Sequence, residues 1–159
     1  IIKIAKKKGL SKGEEIKNID IRSSKICWLN SNDNLDWVFR KITDVVLNLN
    51  NRFFQFDIFG LNEGLQFTNY KAQSDHYGKH IDRSLNFIVN YLKLLPPTHN
   101  TKDYDGGELI LYESEVGTTM EKEQGTLVLF PSYILHEVKP ITKGERNSLV
   151  SWVTGKQFK

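Results

Sequence analysis

Four residues from the middle of the chain onward are of types and spacing that could act on one reaction: His80, Asp82, His136 and Arg146. His80-Ile81-Asp82 sets an imidazole and a carboxylate two positions apart, and on an extended segment such residues project to the same side. His136 follows 54 residues after Asp82, just beyond Leu127-Val128-Leu129-Phe130-Pro131, a strand and turn that would deliver it at a strand start. Two histidines and one carboxylate on a β scaffold fit the facial triad of non-haem Fe(II) sites, which leaves three coordination positions for a bidentate oxoacid and O2. Zinc hydrolysis draws on the same ligand types, so the triad alone leaves the chemistry open. Arg146, ten residues beyond His136 across a turn at Pro140 and Lys143-Gly144, tips the balance. A guanidinium there suits the distal carboxylate of an oxoacid through a bidentate pair. Ser148, Val150 and Trp152 share its face by alternation, which puts Trp152 in the same interior.

The elements that must position these residues fall into two groups. Leu35, Val38, Phe39, Ile42, Val45, Val46 and Leu49 recur at three- and four-residue spacing, one amphipathic helix with N-cap candidates at Ser31 to Asn34 and an end in Asn48-Leu49-Asn50-Asn51. A short strand is read before it, over Ile19 to Trp28. After the helix the period shifts to two. Strands are expected over residues 53–59, 64–71, 84–94, 107–112, 126–130, 136–138 and 146–153, each bounded by Gly, Pro, Asn or Asp. The resulting class is mainly β with supporting helices, and a double-stranded β-helix (jelly-roll) best matches the strand count, though periodicity does not separate it from other sandwiches.

At 159 residues and 39% hydrophobic, the chain suits one domain over 1–159. The net charge of +3 is uneven. Residues 1–17 carry six lysines against two glutamates, so the rest of the chain is at −1. That lysine-rich start reads as a solvated, partly mobile segment rather than a nucleic-acid arm. There is no apolar run of transmembrane length and no secretory signal, and the absent initiator Met points to a processed or truncated chain. The lone Cys27 reads as a buried small hydrophobe beside Trp28 and fits a reducing, cytoplasmic setting.

From about Gln66 to Val153 the chain resembles the prolyl hydroxylase branch of the 2-oxoglutarate/Fe(II) dioxygenases. The resemblance rests on Tyr70 with His80-Ile81-Asp82, on Tyr104-Asp105-Gly106-Gly107-Glu108-Leu109, on Gly125 through Pro131, and on His136-Glu137-Val138-Lys139-Pro140 with Arg146. It implies a catalytic core over 66–153 in which His80, Asp82 and His136 ligate Fe(II) and Arg146 salt-bridges the C5 carboxylate of 2-oxoglutarate. Tyr91 matches a tyrosine bonded to that carboxylate, Tyr70 one that lines the site, and Trp152 an aromatic wall of the pocket. O2 is the implied co-reactant, with ascorbate as a candidate reductant. The related nucleic-acid demethylase branch carries a second arginine six residues after the first, where this chain has Trp152. With the near-neutral body, that argues against alkylated DNA or RNA. The resemblance favours a prolyl residue in a peptide or protein as substrate. A free amino acid or small molecule under the same chemistry is the alternative, and a non-catalytic metal-binding β-barrel is a further one.

His76, four before His80, reads as a surface or substrate-loop residue, and His99 as a solvated loop residue. Arg83 reads either as a contact to a peptide or as a surface ion pair. The loops over 71–79 and 96–106 are expected to select the substrate.

Overall fold

A computed structural model describes residues 1–13, 21–72, 75–82 and 104–156, and the backbone of 89–94. Two sheets face each other. The larger runs β1 (Ser11–Lys12), β3 (Lys25–Leu29), β5 (Leu65–Lys71), β13 (Ile141–Gly155), β7 (Val89–Leu94) and β11 (Leu129–Pro131). Two more of its strands, β4 (Ile58–Leu61) and β8 (Tyr104–Gly106), pair onto β13. The smaller sheet runs β10 (Thr118–Thr119), β9 (Leu109–Tyr112), β12 (Leu135–Val138), β6 (His76–His80) and β2 (Arg22–Ser23). This is the expected mainly β jelly-roll with helical support.

Strand β13 is the spine. It pairs antiparallel with β8 at its start, with β5 over Glu145 to Val150, and with β7 and β4 at its end. It begins five residues before the expected strand. The anticipated turn at Lys143-Gly144 is instead absorbed within it, with an irregular register between Ile141 and Lys143 and Gly144 at φ 75. Because residues alternate, Leu149 and Val153 face one way with Leu65 and Phe67 of β5, into a core shared with Val38, Ile42 and Val46 of α2 (Asp36–Leu49). Val150 and Tyr70 face the other way, against Leu109, Leu111, Phe130 and Val138 between the sheets.

The helix spans the expected stretch, but none of Ser31 to Asn34 caps it with a side chain. Asn34 turns left-handed instead (φ 62), and the Leu35 N–H bonds the Ser31 carbonyl at 3.2 Å. The predicted strand at 53–59 starts only at Ile58, because α2 runs on into one π-helical turn, Asn50–Phe54. The buried Asn50 side chain closes that turn on both the N–H and the carbonyl of Phe56. Extended structure also replaces the expected loops at His76 to Lys79 and Tyr104 to Gly106.

The lysine-rich start departs most from its sequence reading. Ile2–Lys8 forms α1, whose Ala5 is fully buried and whose Ile1, Ile2 and Ile4 pack on the core below α2. Lysine count concealed an apolar face. Cys27 is buried as expected, and burial raises its thiol pKa.

Candidate active site

The site lies between the sheets, where register puts the histidines side by side. His136 on β12 is the direct cross-strand partner of His80 on β6, with ring centroids 4.1 Å apart. Asp82 lies just past the end of β6, where its N–H bonds the carbonyl of buried Ser132 at 3.0 Å. The geometry of an uninterrupted strand is therefore not what aligns His80 with Asp82. The turn before β12 is.

Each imidazole is oriented by its own backbone. His80 Nδ1 lies 2.7 Å from the Gly78 carbonyl and His136 Nδ1 lies 2.8 Å from the Ile134 carbonyl. A carbonyl only accepts, so each Nδ1 carries the proton and each Nε2 turns a lone pair inward. His80 Nε2 is 3.6 Å from Asp82 Oδ1 and His136 Nε2 is 3.7 Å from Asp82 Oδ2, too long for hydrogen bonds. One ligand atom from each residue falls within 4.8 Å of the others, a convergence suited to a divalent ion. Two neutral nitrogens and one carboxylate suit Fe(II).

The inward face of β5 and β13 supplies the rest. Trp152 lines the cavity, as expected, but does more than wall it: its indole N–H donates to Asp82 Oδ2 at 3.0 Å. Residue spacing gave no sign of that bond. Arg146, level with Tyr70 across the strand pair, is 3% exposed. Its Nη1 reaches Ser148 Oγ at 3.3 Å, its Nε has no partner, and no carboxylate of the described residues pairs with it. Its guanidinium sits 5.5 Å from the Tyr70 ring centre. A buried cation so weakly matched costs several kcal/mol unless an anion joins it. Gly107, at φ 67, makes room: a Cβ there would press on Ile141 and come within 2.8 Å of Arg146 Cδ. That is a physical reason for the paired glycines in Tyr104-Asp105-Gly106-Gly107. Burial raises the Tyr70 phenol pKa, with Arg22 and Arg146 opposing.

Tyr91 lies on β7, and its side chain falls outside the described residues, as do Arg83 and His99. His76 sits on β6 beside Ser23 of β2, not in a loop. Sequence reasoning missed Arg22, Gln66 and Tyr77, all of which line the cavity. Alternation along β5 would have flagged Gln66, but the strand expected over 19–28 divides into β2 and β3 in different sheets, and it is that division that carries Arg22 to the cavity. A roomier groove of about 650 Å³ runs between α1 and α2, but its apolar lining holds none of this donor set.

A two-sheet jelly-roll with such a histidine–carboxylate–histidine cluster has the form of a non-haem iron oxygenase. The sequence of residues 65–154, more than half of the chain, matches the model of the 2OG-Fe(II) oxygenase superfamily. The chain belongs to that superfamily, whose cofactors are Fe(II) and 2-oxoglutarate, and the donor set and the buried arginine fit both. Among curated relatives, a PKHD-type hydroxylase of Idiomarina loihiensis is 33% identical over 86 residues, covering 54% of this chain and 39% of the relative. One from Pseudoalteromonas atlantica is 34% identical over 96 residues, covering 55% and 41%. The chain thus spans about two fifths of the length of these relatives. In structure it resembles a prolyl-4-hydroxylase of Pseudomonas putida (TM-score 0.76, 23% identity, 98% of this chain and 82% of the other). It also resembles a Trichoplax adhaerens prolyl hydroxylase solved with a hypoxia inducible factor peptide (TM-score 0.78, 23% identity, 97% and 74%). At those identities the structural likeness speaks for the fold.

Proposed function

We propose that the chain is the catalytic part of a hydroxylase acting on a prolyl residue of a peptide or protein, with His80, Asp82 and His136 as the iron ligands. Arg146 holds the far carboxylate of 2-oxoglutarate, Tyr70 lines its pocket, and Tyr91 is assigned to the same carboxylate on the family resemblance. Residues 66–153 form the core of one domain over 1–159. The observation that carries the reading is a converging metal-donor set at the smaller sheet that faces, across the gap between the sheets, a buried arginine of β13 that pairs with no carboxylate among the described residues. Proline as target is supported by the PKHD-type and prolyl hydroxylase names of the similar proteins.

When bound, Fe(II) with 2-oxoglutarate and O2 supplies oxidative decarboxylation to succinate and CO2 coupled to hydroxylation of a C–H bond. The chain orients the participants. Backbone carbonyls fix the two imidazole tautomers, Trp152 fixes the Asp82 carboxylate, and Arg146 would hold the distal carboxylate of the oxoacid. Burial between the sheets keeps water from competing. Among the described residues no helix is long and apolar enough to cross a membrane. The lone buried Cys27 supports a reducing, cytoplasmic setting.

The test is succinate formation from 2-oxoglutarate with Fe(II), together with mass spectrometry of a proline-containing peptide library. Turnover lost on His80→Ala and one oxygen gained on proline are the expected results. Absence of both turnover and oxoacid binding would overturn the enzyme reading; oxygen gained only on other residues would overturn proline.

A further inference from the structure

The cavity is lined by a buried guanidinium that the site as described does not use. Arg22, on β2, is 7% exposed and lines the same cavity as His80, His136 and Trp152. Its described partners are all neutral. Nε donates to Ser24 Oγ at 2.7 Å, Nη2 donates to Gln66 Oε1 at 2.9 Å, and the guanidinium lies 4.7 Å over the Tyr77 ring. Tyr77 in turn stacks on the metal-site imidazole of His80, with ring centroids 3.6 Å apart. Gln66 Oε1 also accepts from Thr68 at 3.3 Å, so its carbonyl end is committed and its amide nitrogen is left as a donor.

Strand register sets the two arginines apart. Arg146 stands opposite Tyr70, whereas Gln66, which holds Arg22, stands opposite Val150, next on that face to Trp152. Four residues of strand separate Gln66 from Tyr70, roughly 13 Å. In backbone register Arg146 therefore stands at the Tyr70 end of the inner face, whereas Arg22 lines the cavity beside the two histidines, and the Tyr70 phenol feels both charges.

We propose that Arg22 and Gln66 form a second carboxylate subsite beside the metal, which makes Arg22 a specificity-determining residue. This rests on the oxoacid reading of the site. Charge favours a carboxylate brought by the substrate: a divalent metal and Arg146 are balanced by Asp82 and dianionic 2-oxoglutarate, and among the described residues no carboxylate pairs with the buried Arg22. A substrate with a free carboxylate next to the carbon to be hydroxylated would neutralise it. The other source of the same chemistry is the keto-acid carboxylate of the oxoacid itself.

Calorimetric titration of the Mn(II)-loaded protein separates these. First 2-oxoglutarate is titrated; then, at saturating 2-oxoglutarate, N-acetylproline is compared with N-acetylprolinamide, which differ only in the carboxylate. The wild-type protein should prefer the acid by about tenfold or more. Arg22→Gln should abolish that preference with less than a threefold change for 2-oxoglutarate, and Arg22→Lys should recover part of it. A tenfold loss of 2-oxoglutarate affinity in Arg22→Gln supports the subsite with the oxoacid as its source. If Arg22→Gln alters neither titration by more than twofold, the subsite does not exist. Should that variant not fold, a crystal structure of the wild-type complex with N-acetylproline decides: no carboxylate oxygen within hydrogen-bond distance of Arg22 overturns the proposal. Wild-type protein that fails to bind 2-oxoglutarate, or binds it equally well after Arg146→Gln, overturns the oxoacid reading and this subsite with it.

Discussion

The two faces of β5 and β13 are made by alternate residues of the same two strands yet do opposite work. Toward α2 they present Leu65, Phe67, Leu149 and Val153, each at most 2% exposed and packed on apolar neighbours. Toward the other sheet they present Gln66, Thr68, Tyr70, Arg146 and Ser148, all buried but polar, and the half-buried Trp152. Burying apolar area stabilises the fold, whereas burying a guanidinium that makes one long hydrogen bond among the described residues destabilises it. The α2 face thus carries stability, and the inner face gives some of it up to bury a charge, the one that the proposed function assigns to a ligand carboxylate.

That contrast breaks most readily at Phe67. Phe67→Ala should cost about 3–5 kcal/mol by chemical denaturation, the usual loss for a fully buried ring. The fraction still folded should keep its metal affinity. A cost below about 1 kcal/mol would mean that the α2 face does not carry the stability assigned to it.

Arg146→Met is the mirror experiment. The apolar chain fills the space of the arginine stem and removes an unmatched buried charge, so stability should stay level or rise by about 1 kcal/mol. Affinity for 2-oxoglutarate, measured with Mn(II) to prevent turnover, should fall by about a hundredfold, the loss of a charge-assisted bidentate contact. Destabilisation beyond about 2 kcal/mol would instead assign Arg146 to the framework.

Trp152→Phe sharpens the comparison within the inner face. The ring is kept and the N–H donated to Asp82 Oδ2 is lost. Metal affinity should drop about tenfold, typical for a residue that orients a ligand from behind. Stability should change by less than about 1 kcal/mol. Unchanged metal affinity would leave Trp152 as a wall only.

These faces also show what could be read in advance. The alternation of apolar and polar residues in 65–71 and 146–153 gave both strands and both faces, and three-to-four spacing gave α2. The convergence of His80, Asp82 and His136 was legible from residue type, but the strand alternation argued for the first two is not its cause, since Asp82 lies past the end of β6 and is held by the Ser132 carbonyl. Arg22 fell inside the strand read over 19–28, but the structure divides that strand between β2 in one sheet and β3 in the other. Its neighbours Gln66 and Tyr77 lie 44 and 55 positions away, so spacing did not place it in the cavity. The α1 docking was missed for another reason: within Ile2–Lys8 four of seven residues are lysine, and charge outweighed the three apolar residues that face the core. The π turn after α2 depended on a tertiary event, the burial of Asn50 against Phe56.

The smallest effect tests how α1 is held to β13. Lys6 Nζ lies 3.1 Å from Glu145 Oε1, and Asn147 Nδ2 donates to the same oxygen at 3.2 Å. Burial alone would raise the Glu145 pKa, but the hydrogen bonds from Asn147 and Lys6 outweigh it and hold the carboxyl below the ordinary value. A folded pKa below the unfolded one means that the stabilisation is complete above the ordinary glutamate pKa and fades as pH falls through the depressed folded value. Lys6 is half exposed, so the pair contributes less than about 1 kcal/mol. Lys6→Ala should therefore lower stability slightly at pH 7, and the gap from wild type should close in titrations carried below about pH 4. A gap that persists at low pH would mean that α1 is held through the apolar contacts of Ile2, Ile4 and Ala5 and that the Lys6 stem packs with them, the ion pair being incidental.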